Sequence, residues 1–348
     1  MSETSLYKTV VITSIRQETE GVKTFALTYE DGTAIPYTAG QFITFVFNHH
    51  NKEERRSFSI SSSPVLSEPL TITIKRVDNG AYSRLLNDRA SVGDKLQITG
   101  AAGLFTIPDN IDEYKQVFFF AAGIGITPVL SIIKTLLHTR AQQVVLIYSS
   151  RSVEDVVFYD ELIALQQNFP DNFKIEFLYS TSFNLSRARL NRSLLPQLLR
   201  EYAAVPYDKM LFYLCGPFAY MRMAIWSIEE QGIHSDQIKR ENFNTNDRAV
   251  RQVESPDKST HNVTIKHNGG IHTVTVPYTE TILHAAKRNG ITLPYSCEAG
   301  RCGSCAALCT SGEIWLSYNE VLMNADLRKG MVLTCVGHPI NGDATIEF

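Results

Sequence analysis

The chain has 348 residues, 44% hydrophobic, 20% charged and 10% aromatic, with a formal net charge of −3. That length exceeds one ordinary domain and predicts two or three. The composition is that of a globular protein without a broad basic field, so neither nucleic acid nor an anionic membrane surface is expected as a partner. The start, Met1–Ser5, lacks a basic segment followed by an apolar core, so no signal peptide is expected. The longest uncharged stretch, Val117 to Ile133, is broken by Gly123, Gly125 and Pro128 and falls short of a spanning length. Membrane insertion is not expected, the cytoplasm is the default location, and no homo-oligomer is indicated.

The first region, residues 1–110, carries short alternating runs such as Phe42–Val46 and Leu70–Ile74, separated by turn signals at Asp78-Asn79-Gly80 and Val92-Gly93-Asp94. Many short strands with one buried face predict an antiparallel β-barrel. Within it, Arg55-Arg56-Ser57-Phe58-Ser59-Ile60-Ser61-Ser62 precedes Pro64. An arginine can pair with a phosphate through two parallel hydrogen bonds. An aromatic two residues along a strand shares its face and can stack on a flat ring. A solvated strand with a serine-rich turn fits the same residues.

In residues 111–246 the rhythm changes. Apolar runs at Val117–Ala122, Val144–Tyr148, Ile175–Tyr179 and Met210–Cys215 alternate with helical stretches near Pro128–Leu137, Asp155–Gln167, Ser193–Tyr202 and Phe218–Gln231. This alternation predicts an α/β domain with a parallel sheet and helices on both faces. Gly123-Ile-Gly125-Ile-Thr127-Pro128 follows the first run and opens a helix, with Pro128 as its first residue. Such glycines permit a tight turn and close approach of a pyrophosphate to the helix N-terminus. An ordinary glycine turn between strand and helix is the alternative. Ser149-Ser150-Arg151 and Cys215-Gly216-Pro217 end two further runs at the same carboxyl edge, where ligands of such sheets sit; Ser150 and Arg151 are placed to meet a ribose. No acidic residue stands where the usual dinucleotide fingerprint needs one.

Asn244 to Thr260 is polar, and residues 247–260 read as a linker. Residues 261–348 follow with a hairpin (Val263–Lys266 and His272–Val276), a short helix (Thr281–Asn289), a cysteine loop and closing strands. The six cysteines are Cys215 and five between 297 and 335. Cys297, Cys302 and Cys305 have gaps of four and two residues, and Cys335 follows after twenty-nine more. This is the plant-type spacing for a [2Fe–2S] cluster, three thiolates on one tight loop and a fourth from a separate strand. Gly300 and Gly303 let the backbone wrap a negatively charged cluster. A zinc site is the alternative, although zinc prefers two close pairs. Cys309 reads as a small buried residue on a strand.

Residues from Asn262 to Phe348 resemble the plant-type ferredoxin family, which implies a β-grasp fold and a one-electron carrier. Residues 4–245 resemble the ferredoxin–NADP reductase family, whose arginine–x–tyrosine–serine strand, glycine-rich nicotinamide loop and cysteine–glycine–proline turn occur here in order. The resemblance implies FAD, with Arg56 at its pyrophosphate, Phe58 on the isoalloxazine and Ser59 near the reactive nitrogen. A glycine–x–x–serine contact matches Gly80-Ala81-Tyr82-Ser83, and Ile74 and Lys75 complete the implied flavin surface. Gly123, Gly125, Thr127, Pro128 and Cys215, Gly216, Pro217 would hold NADH or NADPH, with the Cys215 side chain near the transferred hydride. Phe58 stands where the family has tyrosine, so stacking survives without a hydroxyl. Glu241-Asn242-Phe243 resembles the acidic–x–aromatic end of the reductase unit, which places Phe243 with Ser59 and Cys215 in the catalytic set.

Reductase first, ferredoxin last is the order found in the reductase components of phenylacetyl-CoA epoxidase and of hybrid-cluster protein. It implies electron flow from NAD(P)H through FAD and the [2Fe–2S] cluster to a separate terminal oxygenase or other oxidised metalloprotein. A cluster-based redox sensor would need no hydride-donor loop, and a self-contained oxygenase would need a His/carboxylate iron site that the sequence does not suggest. Docking is expected on the loop Tyr295–Cys305, with Glu298 and Arg301 giving no dominant sign of charge.

Overall fold

The alternating runs of the first region become strands β1 (Lys8–Thr19), β2 (Val22–Tyr29), β3 (Phe42–His49), β4 (Lys52–Ser59) and β5 (Leu70–Lys75), then helix α1 (Ala81–Arg89) and β6 (Lys95–Ala102). The computed structural model describes residues 6–49, 52–243 and 253–348, and the chain divides into a unit of Tyr7–Asn244 and a second that contains Thr245–Phe348. The six strands form a sheet in the order β4-β3-β6-β1-β2-β5, antiparallel at each pairing. An Ile60–Ile72 bridge joins the continuation of β4 to β5, and the Ser61 N–H donates to the Thr71 carbonyl at 2.9 Å. The sheet edges therefore meet, and the expected barrel closes. Every second side chain points inward, so Val10, Ile12, Phe25, Leu27, Ile43, Phe45, Ile72 and Ile74 share one apolar core.

The second half of this unit runs β7 (Gln116–Ala122), α2 (Ile126–Thr139), β8 (Gln143–Ser150), α3 (Tyr159–Asn168), β9 (Phe173–Tyr179), α4 (Leu194–Tyr202), β10 (Met210–Cys215), α5 (Phe218–Glu229) and β11 (Ile238–Glu241). The strands are parallel in the order β11-β10-β7-β8-β9. The order reverses between β7 and β10, the place where open α/β sheets hold ligands. Along β7, Val117, Phe119 and Ala121 pack with residues of α2 and α3, while Phe118 and Phe120 pack with those of α4 and α5. Burial on both faces explains why these strands read as continuous apolar runs.

Three local readings shift. Helix α2 starts at Ile126, so Pro128 is its third residue; its missing N–H still falls in the first turn, where no intrahelical partner exists. Helix α3 starts at Tyr159, after Phe158 at φ 65°, because Val156, Val157 and Phe158 are drawn into the core instead of extending the helix. The short edge strand β11 is too brief and polar to stand out by periodicity.

The second unit contains β12 (His261–His267), β13 (Gly270–Val276), α6 (Ile282–Arg288), β14 (Ala306–Leu316), α7 (Asn324–Arg328), β15 (Met331–Leu333) and β16 (Gly337–Glu347). Its sheet order is β13-β12-β16-β14-β15, with β12 and β16 parallel and the other pairings antiparallel. A hairpin, a helix packed across it and a central returning strand make the β-grasp arrangement. Residues 244–252 of the expected linker lie outside the described residues. Its end is pinned to the second unit, where Asp257 accepts from the N–H groups of Ser259 and Asn341, each at 2.8 Å.

Candidate functional site

Strand β4 carries the residues expected to meet a flavin. Arg56 and Phe58 alternate along it, opposite Phe45 and Ile43 of β3. The Arg56 guanidinium lies over the Tyr82 ring, 5.2 Å from its centroid, and Tyr82 stacks on Phe47 at 4.0 Å. Arg56 also pairs with Glu54 at 2.9 Å, but both side chains are about two-fifths exposed at 42% and 40%; such a pair is weak and yields readily to a phosphate. Helix α1 begins beside it behind Gly80, with no side-chain cap and no acidic residue in its first turn. The buried Ser83 hydroxyl accepts from the Val77 N–H and donates to the Gly80 carbonyl, both at 3.2 Å, which fixes the turn. An arginine next to an uncapped helix start fits a pyrophosphate, and half-buried Phe58, edge-on to Phe45 at 5.8 Å, fits a flat ring. Ile74 is a barrel-core side chain, while Lys75 ends β5 exposed.

The nucleotide edge is built by backbone contact. A Cβ on Gly125 would stand 2.2 Å from the Cys215 carbonyl oxygen, so only glycine lets the turn after β7 close on the Cys215-Gly216 turn after β10. Two helix N-termini, α2 and α5, open there with no acidic residue in their first turns, which suits a second pyrophosphate. Thr127 is buried and donates its hydroxyl to the Ile124 carbonyl at 3.0 Å, so its side chain shapes the turn. At the neighbouring edge the Arg151 carbonyl accepts from both the N–H and the hydroxyl of Thr181, at 3.1 and 2.8 Å, leaving the Arg151 side chain exposed.

Where barrel and sheet meet, Ser59 Oγ donates to Glu241 Oε2 at 3.0 Å, and Glu241 lies beside Cys215 in the parallel register of β10 and β11. Burial pushes the Glu241 carboxyl up to about 8 and the Cys215 thiol well above its ordinary value. Hydroxyl, thiol and carboxylic acid thus form an uncharged group at neutral pH. The sequence singled out Phe243 here. It lies two residues beyond β11 and is 38% exposed, while Glu241 supplies the contact. Its position opposite Cys215 depends on an edge-strand register that no local pattern announces.

In the second unit the loop between α6 and β14 gathers Cys297, Cys302 and Cys305. Hydrogen bonds from the Cys302 and Cys335 thiols hold Cys297 far below the usual thiol range, and Cys335 also meets Cys305, so four sulfurs adjoin. The Ala299 N–H donates to Cys297 Sγ at 3.4 Å and the Ser304 N–H to Cys302 Sγ at 3.5 Å. Gly300, at φ 67°, brings its backbone so near Tyr318 that a Cβ would meet the Tyr318 carbonyl oxygen at 2.9 Å. The distant Cys335 is held by its neighbour Thr334, whose N–H donates to the Cys305 carbonyl at 3.1 Å and whose carbonyl accepts from the Leu283 N–H at 3.0 Å. Four adjoining thiols with backbone donors fit a [2Fe–2S] cluster. Cys309 lies on β14, half-buried rather than buried, with its thiol donating to the Ser311 carbonyl at 3.4 Å.

The loop charges are already engaged. Glu298 pairs with Lys287 at 2.8 Å. Arg301 lies 3.7 Å from Glu320 with its side chain only 12% exposed, and 5.8 Å from the Tyr318 ring centroid. Both charges expected on the docking loop thus also brace that loop from within.

Three family models match the chain in sequence: an oxidoreductase FAD-binding domain over residues 9–107, an oxidoreductase NAD-binding domain over 119–225 and a 2Fe-2S iron-sulfur cluster binding domain over 265–339. The ferredoxin reductase component of 3-ketosteroid-9-alpha-monooxygenase from Rhodococcus rhodochrous is 28% identical, over 97% of this chain and 96% of that protein. A component of the 1,2-phenylacetyl-CoA epoxidase of Escherichia coli is 27% identical over 98% of both chains. The fold is that of phthalate dioxygenase reductase, a modular structure for electron transfer from pyridine nucleotides to [2Fe-2S], with a TM-score of 0.60 and 23% identity over 98% of each chain. The chain is therefore an oxidoreductase with FAD-binding, NAD-binding and 2Fe-2S cluster-binding domains. No helix among the described residues is long and apolar enough to cross a membrane.

Proposed function

We propose that this flavin and iron–sulfur oxidoreductase is the NADH-preferring reductase component of a multicomponent oxygenase in the cytoplasm. The domain limits are near residues 110, 246 and 260. What supports the partner class is that relatives matching the chain almost end to end are named as components of a monooxygenase and an epoxidase. When bound, the nicotinamide nucleotide and FAD would supply hydride chemistry and the cluster one-electron chemistry.

The polypeptide's part is to hold and insulate. Arg56 and the start of α1 bind the FAD pyrophosphate, with Gly80, Ala81, Tyr82 and Ser83 shaping that turn. Phe58 covers the flat ring. Gly123 and Gly125, with Gly216 and Pro217, bring the α2 and α5 N-termini to the nucleotide, and Thr127 and Pro128 shape the first turn of α2. Ser59, Cys215 and Glu241 line the hydride path as neutral groups, so no fixed charge there opposes the charge displaced in transfer. Cys297, Cys302, Cys305 and Cys335 hold the cluster.

Anaerobic titration of the full-length holoprotein with NADH tests this reading. The expected course is bleaching of the flavin absorbance, followed by a rhombic paramagnetic signal from the reduced cluster. A flavin that NADH reduces while the cluster stays oxidised would overturn the electron path. Failure to support turnover of any oxygenase encoded beside it would overturn the partner class.

A further inference from the structure

Helix α2 joins two places that the electron path must keep in register. Its first turn forms the nucleotide edge. Its later turns, buried through Leu137, carry three polar side chains that grip the segment immediately following β4. Ser131 Oγ donates to the Ser62 carbonyl at 2.5 Å. Thr135 and Ser63 share a hydroxyl–hydroxyl hydrogen bond at 2.7 Å. Lys134, whose side chain is only 5% exposed, pairs with Glu68 at 2.8 Å and with Glu161 of α3 at 3.0 Å. Glu68 in turn accepts from the Ser63 N–H at 2.6 Å. Ser62 and Ser63 are fully buried.

An apolar helix face would have filled this space more simply, since burying an ammonium between carboxylates is costly and directional. What such a cluster adds is geometry, because hydrogen bonds and ion pairs fix distance and register where apolar contacts slide. The grip begins three residues beyond Ser59, on the backbone that continues β4, and the same helix starts at the nucleotide turn packed on Cys215. Flavin strand and nicotinamide edge are thereby tied through one rigid element.

We propose that Lys134, Ser131 and Thr135 form a positioning clamp on the Ser62–Glu68 segment that sets the approach of the hydride donor to the flavin. This rests on the reading above that Ser59 and Cys215 line the hydride path. The two carboxylates bonded to Lys134 separate a clamp from a merely structural ion pair. Glu68 lies on the flavin side and carries the bond across, whereas Glu161 lies on α3 and reaches the barrel only through a long, exposed contact to Arg16 of β1 at 3.9 Å.

The test uses full-length holoprotein, with flavin reduction followed by stopped flow using NADH and NADH deuterated at the transferred position. Glu68→Gln is expected to slow flavin reduction about 10-fold or more, leaving flavin content and the KM for NADH within twofold, as expected when geometry alone is lost. The isotope effect on turnover should rise as the hydride step becomes limiting. Glu161→Gln should lower the melting temperature to a similar extent and change flavin reduction by less than twofold. Ser131→Ala, a milder change, should slow reduction several-fold and keeps the test open if Glu68→Gln folds poorly. Equal effects of Glu68→Gln and Glu161→Gln, or a normal rate in Ser131→Ala, would overturn the clamp. Ser59→Ala and Cys215→Ser serve as references: slow reduction in them beside normal rates in the clamp variants refutes the clamp alone, and normal rates in them refute the underlying reading of the hydride path.

Discussion

Replacing Glu241 with glutamine should flatten the pH dependence of the reductase unit. Burial raises the Glu241 carboxyl from 4.5 to about 8, and each pH unit of such a rise is worth about 1.4 kcal/mol. The whole rise therefore sets an upper bound of about 5 kcal/mol by the same conversion. The Glu241 side chain is only half-buried by its accessible surface, so solvent still screens the carboxyl and reduces this to roughly 2 kcal/mol. The sign follows from linkage. The native state holds the proton more tightly than the unfolded chain, so the stabilisation is fully present below about pH 4.5 and is lost as pH rises toward 8. Melting curves of wild-type and Glu241→Gln holoprotein from pH 5.5 to 9 measure it. Wild type should lose roughly 3–6 °C relative to the variant across that range, since about 1.4 kcal/mol of the loss falls above pH 5.5 and a unit of this size shifts by roughly 2–4 °C per kcal/mol. Stopped-flow flavin reduction should slow above about pH 8 in wild type, as the carboxylate forms beside Ser59 and Cys215, and stay level in the variant. Parallel melting curves for the two proteins between pH 6 and 9 would refute the reasoning, since the carboxyl would then titrate alike in folded and unfolded chains.

Two further outcomes are expected. Cys335→Ser should lose the cluster absorbance or leave it labile, whereas Cys309→Ser should keep the full spectrum; visible absorbance and iron content of each purified variant decide it. NADH should be the better substrate in kcat/KM, because β9 ends at Tyr179 and leads into Ser180-Thr181, without the arginine after the serine whose guanidinium would grip a 2′-phosphate. Arg187, the arginine nearest the Tyr179-Ser180-Thr181 end of β9 in sequence, is committed to Glu176 and Glu201. Residual turnover with NADPH should therefore fall at least threefold in Arg151→Ala or Arg189→Ala, whose side chains are exposed, and comparable kcat/KM for the two nucleotides in the wild type would defeat the preference.

Much of this was legible in the sequence because it was local. The gaps between Cys297, Cys302 and Cys305 are covalent facts, and a tight loop leaves a binuclear cluster as the economical occupant. Gly125 was legible because a turn that must touch another backbone cannot carry a Cβ, and the two-fold alternation in β3 and β5 announced the barrel. What stayed hidden was register between distant segments. Glu241 meets Ser59 across 182 positions of sequence, through a four-residue edge strand with no periodicity of its own. Nothing in the sequence singles out Lys134 within the helical stretch Pro128–Leu137. Only the fold reveals that the face on which it lies is covered, with carboxylates arriving from two other segments.

The loop charges carry the same lesson to partner recognition. From sequence, Glu298 and Arg301 stand beside the ligand cysteines and invite a reading as docking residues. In the structure Arg301 is directed at Glu320, whose own N–H donates to the Gly300 carbonyl at 3.0 Å; Glu298 sits at φ 51°, its carboxylate held by Lys287 of α6. Reversing either charge would set like charges together within the loop, so a slower partner reaction would report a disturbed cluster before it reported a lost contact. Electron transfer asks little of such side chains, because its complexes are small and transient, and charge guides their approach more than it holds them. The surface that a terminal acceptor meets is therefore better sought in the backbone around Cys297 and Cys302, the two ligands that retain accessible surface, than in the charges that brace it.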